Sequence, residues 1–247
     1  MTSLAPPRRL VWRVATVAGI REESVSARTL VLDVPDWPGH LAGQHVDLRL
    51  TAPDGYQAQR SYSLASDPST VELTVQRVSR GEVSPYLCDI AVVGDQFELR
   101  GPVGGYFAWR PAQAEPVLLL AGGSGIAPLM AMIRTRAAAA SRVPFRLVYS
   151  VRDPDSVIYG DELARRVRDD QGLDVTYVYT REVPPSSPRP PGRLDAVRLA
   201  EAGWPAAFEP SCYVCGPTGF VEAAADLLVA EGHPAERIRT ERFGPTG

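Results

Sequence analysis

The sequence predicts a two-domain fold: an antiparallel β-barrel or sandwich, followed by a doubly wound parallel sheet with helices on its faces. Three observations carry this reading. Between about Leu10 and Phe107, six short β-rich segments recur with turn signals between them. From Val117 onward, strand-like segments alternate with helix-forming ones. Between the halves, Arg110–Pro116 contains two prolines and reads as a linker. The expected domains are residues 8–110 and 115–247.

In the first half the expected strands are Arg9–Val17, Ala27–Asp33, His45–Leu50, Arg60–Leu64, Val71–Val78 and Gln96–Arg100. Turn sequences separate them, including D-W-P-G at 36–39 and P-D-G at 53–55. A helix is expected to open at Ser84 as N-cap, with Pro85 in its first position. In the second half the expected strands are Val117–Ala121, Phe145–Ser150, Asp174–Tyr179, Ser211–Cys215 and Arg237–Arg242. The expected helices are Leu129–Ala140, Gly160–Asp169, Asp195–Glu201 and Phe220–Glu231.

Composition excludes several functions. The net charge of −3 over 247 residues argues against a nucleic-acid binder. No apolar run reaches the ~18 residues of a membrane span, and residues 1–9 lead into no signal-peptide core. Every one of the 26 basic residues is arginine. Three cysteines, Cys88, Cys212 and Cys215, fit a reducing compartment, so a cytoplasmic location is expected. Cys212 and Cys215 form a C-x-x-C, but on a strand residues three apart point to opposite faces, so no dithiol is expected. His40, His45 and His233 show no ligand spacing, and no metal is expected.

Three stretches point to chemistry. Val117–Pro128 reads V-L-L-L-A-G-G-S-G-I-A-P: a buried strand, a glycine turn, then a helix start. That arrangement aims unpaired N–H groups and a helix dipole at one point, a seat for pyrophosphate. In R-S-Y-S-L-A-S at 60–66, Arg60 and Tyr62 share one strand face. A cation beside a flat ring suits a phosphate attached to an aromatic system. Arg80–Ser84, R-G-E-V-S, is a second glycine turn feeding a helix start.

Together with G-P-V-G-G-Y-F at 101–107 and C-G-P-T-G-F at 215–220, this ordered set resembles the ferredoxin–NADP reductase superfamily from about Trp12 to Gly247. The resemblance implies a six-stranded antiparallel barrel carrying FAD and a five-stranded parallel sheet binding NADPH, with NADH as the other candidate. It places Arg60 on the flavin pyrophosphate, Tyr62 against the isoalloxazine, and Ser63 near flavin N5. Gly81, Glu82, Val83 and Ser84 would wrap the diphosphate, with Val75, Arg77 and Phe243 completing the flavin set. Gly123, Ser124, Gly125, Pro128, Gly216 and Pro217 would line the nucleotide crevice. Cys215 would lie at the nicotinamide C4, and Glu241 on the flavin's nicotinamide-facing side. Ser63, Cys215 and Glu241 are thus the implied catalytic group. Thr180 and Arg181 match a pair that holds the 2′-phosphate in NADP-using relatives, assisted by Arg152, Arg189 or Arg193.

The implied reaction passes hydride from NADPH to FAD, then single electrons to a protein acceptor: a ferredoxin, a flavodoxin or an oxygenase component. Two other readings compete. One is an NAD(P)H:flavin reductase acting on free flavin. The other is a non-catalytic flavin-binding subunit. Three cysteines cannot supply the four ligands of a plant-type ferredoxin cluster, so a free-standing, monomeric reductase module is expected.

Overall fold

Alternation along the first strands decides where the barrel core lies. The structure, a computed structural model, describes residues 10–244. The expected first domain residue, the strand start at Arg9 and the tail after Gly244 lie outside the described residues. The barrel strands are β1 (Trp12–Ser24), β2 (Ala27–Asp33), β3 (His45–Thr51), β4 (Gln57–Ser63), β5 (Val71–Gln76) and β6 (Gln96–Val103). They pair antiparallel in the order β4-β3-β6-β1-β2-β5. A Leu64–Leu73 bridge joins the two outer strands and closes the barrel. Inward residues such as Leu30, Val46, Leu48, Leu73 and Leu99 form its core.

Two sequence expectations are corrected here. β1 does not stop at Val17. A register shift between Val17 and Gly19 bends the strand while it keeps pairing with β2 as far as Ser24. The helix does not open at Ser84. A short helix α1 (Val83–Pro85) is capped by Glu82 and runs into a wider π-helical turn, Tyr86–Ile90. Ser84 is unavailable as the cap because its Oγ accepts the Val78 N–H at 3.1 Å, which fixes the loop before the helix.

The second sheet is built from β7 (Val117–Gly122), β8 (Phe145–Val151), β9 (Leu173–Tyr179), β10 (Ser211–Pro217) and β11 (Ile238–Phe243). All pairs are parallel, in the order β11-β10-β7-β8-β9. The helices are α2 (Ile126–Ala138), α3 (Gly160–Asp169), α4 (Ala196–Ala202) and α5 (Thr218–Ala230). The unbroken apolar run of β7 is explained by burial on both faces. Leu119 and Ala121 face α2, whereas Leu118 and Leu120 face the α4–α5 layer. Cys215 lies in the first of these layers and Cys212 in the second, so the C-x-x-C thiols sit on opposite faces of the sheet. The chain turns from β7 toward β8 on one side, and β10 lies on the other. Their C-terminal ends therefore flank the switch point where a ligand crevice forms.

The two sheets share apolar contact. Ala42, Ala65, Phe107 and Trp109 of the barrel segment belong to the same buried cluster as the α2 layer. Trp109 meets Phe145 edge-on at 5.1 Å. This continuity fixes the seam at which the site lies. Among the described residues, no helix is long and apolar enough to cross a membrane.

Candidate active site at the domain seam

The glycine turn after β7 is shaped as much by the protein itself as by any ligand. Gly122 leads into a single 3-10 turn, Gly123–Gly125, and α2 follows. Gly123 has φ +54°, a left-handed conformation that favours glycine. A side chain at Gly125 would run into the Cys215 main chain, and one at Gly122 would come within 2.6 Å of the Phe220 ring. The two turns, distant in sequence, are therefore packed against each other. Gly123 is the open position: an added Cβ would meet only Gln76 Oε1 of the barrel, at 3.8 Å. No side chain caps the turn or α2, and the Ile126 N–H is already bonded back to the Gly123 and Ser124 carbonyls, so an anion would be met by N–H groups of the glycine turn ahead of α2. Ser124 is half-buried beside them. Pro128 is buried in the first turn of α2 and shapes that turn. Gly216 is buried, and Pro217, which is exposed, precedes α5.

Across the seam, the three residues of the implied catalytic group come together. Cys215 and Glu241 are register partners on β10 and β11. The Ser63 hydroxyl, at the end of β4, donates to Glu241 Oε1 at 2.9 Å. Burial pushes the Glu241 carboxyl above the ordinary range, while the Ser63 hydrogen bond and the nearby His45 pull it back. Burial, and then the Glu241 charge, push the Cys215 thiol well up. A thiol shifted in this direction holds its proton more tightly than an exposed one.

On the barrel side, Arg60 and Tyr62 share a face as expected, opposite Leu48 and Val46 in register. Tyr62 leans on the barrel core. Burial raises its phenol above the ordinary range, so it stays neutral. Arg60 is half-exposed and lies 3.6 Å from Glu82, which also accepts the Tyr56 hydroxyl at 3.0 Å. Gly81 is held tightly, since an added Cβ would lie 3.0 Å from Ser84 Oγ. Val83 and Val75 point into the barrel core, so only their main chains can face a ligand. Arg77 is an exposed partner of Asp89 at 2.6 Å. A guanidinium, a tight turn and unpaired first-turn N–H groups suit a diphosphate, and a core-supported phenol ring suits a flavin face. These residues fit FAD. Phe243, at the end of β11, is exposed beside Pro217 in register.

At the far end of the crevice, Thr180 and Arg181 follow β9. Their N–H groups bond to the carbonyls of Val151 and Arg152, both at 2.8 Å, which brings Arg152 alongside. A cavity of about 380 Å³ opens here, lined by Ser150, Thr180, Arg193, Pro217 and Phe220 among others. Arg193 thus reaches the same cavity as Thr180. Arg189 turns away to pair with Glu201.

Sequence reasoning missed several seam residues. His45 stands opposite Ser63 across β3–β4. Arg134 on α2 is 9 % exposed and crosses the seam to Ala65 O at 2.9 Å and Glu72 at 2.8 Å, while also pairing with Glu162 at 2.6 Å. Tyr159 lies beneath the Arg134 guanidinium and hydrogen-bonds Thr74 of the barrel. Two arginines, Arg134 and Arg136, in a helix that otherwise reads as core were the available signal for Arg134. No local signal marked His45.

This arrangement defines a class, a two-domain flavin- and nicotinamide-nucleotide-binding oxidoreductase, and comparison with known proteins agrees. The family description "Oxidoreductase FAD-binding domain" matches residues 15–108, and "Oxidoreductase NAD-binding domain" matches residues 119–226. The chain belongs to the ferredoxin–NADP reductase superfamily. It is 35 % identical over 240 residues to the ferredoxin reductase component of 3-ketosteroid-9-alpha-monooxygenase from Mycolicibacterium smegmatis, covering 92 % of this chain and 64 % of that protein. It is 33 % identical over 208 residues to the glycine betaine monooxygenase reductase subunit of Pseudomonas aeruginosa, covering 83 % and 56 %. It thus spans less than two thirds of either relative. Among solved structures, the FAD/NAD-binding domain of nitric oxide dioxygenase from Vibrio cholerae superimposes with a TM-score of 0.83 at 27 % identity, covering 94 % of this chain and 99 % of that one. The expected six-stranded antiparallel barrel, the five-stranded parallel sheet, FAD and a nicotinamide nucleotide all agree with these findings.

Proposed function

We propose that the protein takes hydride from NADPH onto FAD and passes single electrons to a protein acceptor, an iron–sulfur ferredoxin, a flavodoxin or an oxygenase component. The flavin, when bound, supplies the conversion of a two-electron donor into one-electron steps. The work of the chain is positioning. Tyr62 supports one face of the ring system, and Arg60 with the Gly81–Ser84 turn holds the diphosphate. Gly123, the open position of its turn, leaves room for the nucleotide, while Gly125 and Gly216 let the two turns pack together beneath it. Cys215 keeps water from the seam, and the Ser63–Glu241 pair holds a proton at its edge.

The single observation that carries this reading is the Ser63–Glu241 hydrogen bond across the seam, with Cys215 beside it in register. It joins the flavin-side strand to the nucleotide-side sheet at one point. The oxygenase reductase components among the relatives support an electron-carrying protein as acceptor. Thr180, Arg181, Arg152 and Arg193 at one end of the crevice favour the 2′-phosphate of NADPH, since the arginine fork suits phosphate oxygens. We further assign the protein to the cytoplasm as a monomer, without nucleic-acid or membrane partners.

Steady-state reduction of a one-electron acceptor such as ferricyanide, compared with turnover of added free FMN, tests this. Tight flavin retention with rapid ferricyanide reduction supports the proposal. A chain that loses flavin on gel filtration yet turns over free FMN would make it a flavin reductase.

A further inference from the structure

The face of β2 and β5 that points away from the barrel core docks on the nucleotide-binding domain. Thr29 and Thr74 oppose each other in register there. Both are buried, and their hydroxyls lie 2.7 Å apart. The Thr29 hydroxyl donates to Glu23 of β1 at 2.7 Å. The Thr74 hydroxyl meets that of Tyr159, which reaches it from the other side of the seam. Tyr159, Thr74, Thr29 and Glu23 thus form one chain, and no residue assigned to flavin or nucleotide belongs to it. Tyr159 is 3 % exposed and stands at the N-cap of α3 with φ +61°, in the left-handed region that favours glycine. A bulky aromatic in that conformation is an outlier that its surroundings must hold.

A hydroxyl carries a single proton, and this fixes the direction of the chain. Thr29 gives its proton to Glu23, so toward Thr74 it can only accept. Thr74 then donates to Thr29 and accepts from Tyr159. Burial raises the Tyr159 phenol above its ordinary range, so it keeps the proton it donates. An ionised Glu23 imposes this order, because a carboxylate only accepts and makes the stronger, charge-assisted bond. A neutral carboxyl accepts more weakly and can donate in turn, so the order is no longer imposed. Solvent protons reach Glu23 through a cavity of about 610 Å³ that it lines with Arg21, Arg134 and Tyr159. Burial raises the Glu23 carboxyl, and Glu162 of α3 adds to the rise. The Thr29 bond, Arg21 at 3.7 Å on its own strand and Arg134 of α2 oppose it. Glu72 of β5 is held by Arg21 and Arg134.

The chain ends next to the glycine turn. Two residues beyond Thr74, and so on the same face of β5, stands Gln76. Its Oε1 would lie 3.8 Å from a Cβ on Gly123. We propose that Tyr159 is a positioning residue for the reaction at the seam, holding β5 against the Gly123–Gly125 turn through a hydroxyl chain that ionised Glu23 directs. Protonation of Glu23 slackens that hold. The inference rests on the proposed function, because what Tyr159 positions is a flavin-side strand against the nucleotide-side turn.

The test is NMR titration of the full chain, with and without FAD, following the Glu23 carboxyl carbon and the tyrosine ring carbon that bears the hydroxyl. Tyr159→Phe and Glu23→Gln assign the two signals. In the wild type, the Tyr159 signal should shift with pH at the midpoint of Glu23. In Thr29→Val, which leaves both end residues intact, that shift should be lost, and Thr29→Ser should restore it. A second readout is the rate at which saturating NADPH bleaches the FAD-loaded chain. The wild-type rate should fall toward acid at the same midpoint. Tyr159→Phe and Thr29→Val should be several-fold slower, without this pH step and with NADPH affinity kept. A Tyr159 signal that does not titrate, or that titrates equally in Thr29→Val, would overturn the proposal. So would a bleaching rate whose pH profile is the same in the variants as in the wild type. Coupled Tyr159 and Glu23 titrations in a chain that NADPH does not bleach would support the hydroxyl chain and overturn the proposed function instead.

Discussion

The short segment Ser63–Ala65 crosses the domain seam twice, and the two crossings differ in kind. At Ala65 the crossing is charged and crowded. Arg134 bonds the Ala65 carbonyl, Glu72 and Glu162, with Tyr159 under its guanidinium. Despite its burial, Arg134 is held cationic, its hydrogen bonds and charge interactions with Glu162 raising it above its ordinary range. At Ser63 the crossing is one hydroxyl on one carboxyl whose own burial favours the neutral form. Two residues apart, the first crossing fixes the domains and the second leaves a contact that responds to protons. A reaction between two bound rings needs both: a frame that keeps its geometry, and an edge that follows charge.

This contrast is sharpened most by Arg134→Ala. Removing one partner of a buried charge network costs about 3–5 kcal/mol, and the loss should appear as a lower denaturant midpoint. If stability hardly changed, the Ala65 crossing would not be the clamp. Next, Tyr62→Ala should weaken FAD binding by roughly 1–3 kcal/mol through lost stacking, read by fluorescence titration. An unchanged affinity would remove Tyr62 from the flavin face. Arg181→Ala should weaken NADPH binding by roughly 1–3 kcal/mol, as for a lost charge-assisted hydrogen bond, and leave NADH binding alone. Equal losses for both nucleotides would dismiss the 2′-phosphate role. Gly125→Ala should destabilise by about 1–3 kcal/mol through overpacking against the Cys215 main chain, with flavin affinity kept.

The smallest expected effect concerns pH at the Ser63 crossing. The folded-state pKa of Glu241 is raised, with burial the largest cause. The fold therefore binds this proton more tightly than the unfolded chain does. The associated stability is present below the unfolded pKa and fades as pH rises through the folded one. Glu241→Gln, permanently neutral, should lose stability less steeply than the wild type as pH rises across that window. Parallel curves would mean that Glu241 ionises in the fold as freely as in water.

Much of this was legible in the sequence. β7 is recognisable because burial on both faces removes alternation, leaving a bare apolar run. Arg60, Tyr62 and Ser63 sit on one strand, so their relative faces follow from period two alone. Cys215 and Glu241 stand at strand ends that a doubly wound topology brings together. The Ser84 cap failed because the Val78 N–H engages the hydroxyl first, a competition that residue types do not reveal. β1 runs past Val17 because the extra residue there, Ala18, bends the strand without ending its pairing with β2, and residue types do not reveal such a bulge. Val75, taken as a flavin residue, turns its side chain into the barrel core. Arg134 and His45 escaped because their partners lie far along the chain: Ala65, Glu72 and Glu162 for Arg134, and the Ser63 row of β4 for His45.

The most direct measurement is the visible spectrum of the purified chain, incubated with FAD, gel-filtered, and titrated anaerobically with one equivalent of NADPH. The account predicts two retained flavin bands that bleach on addition of the nucleotide. A colourless protein that retains no FAD, or a yellow one that neither NADPH nor NADH bleaches, would contradict it.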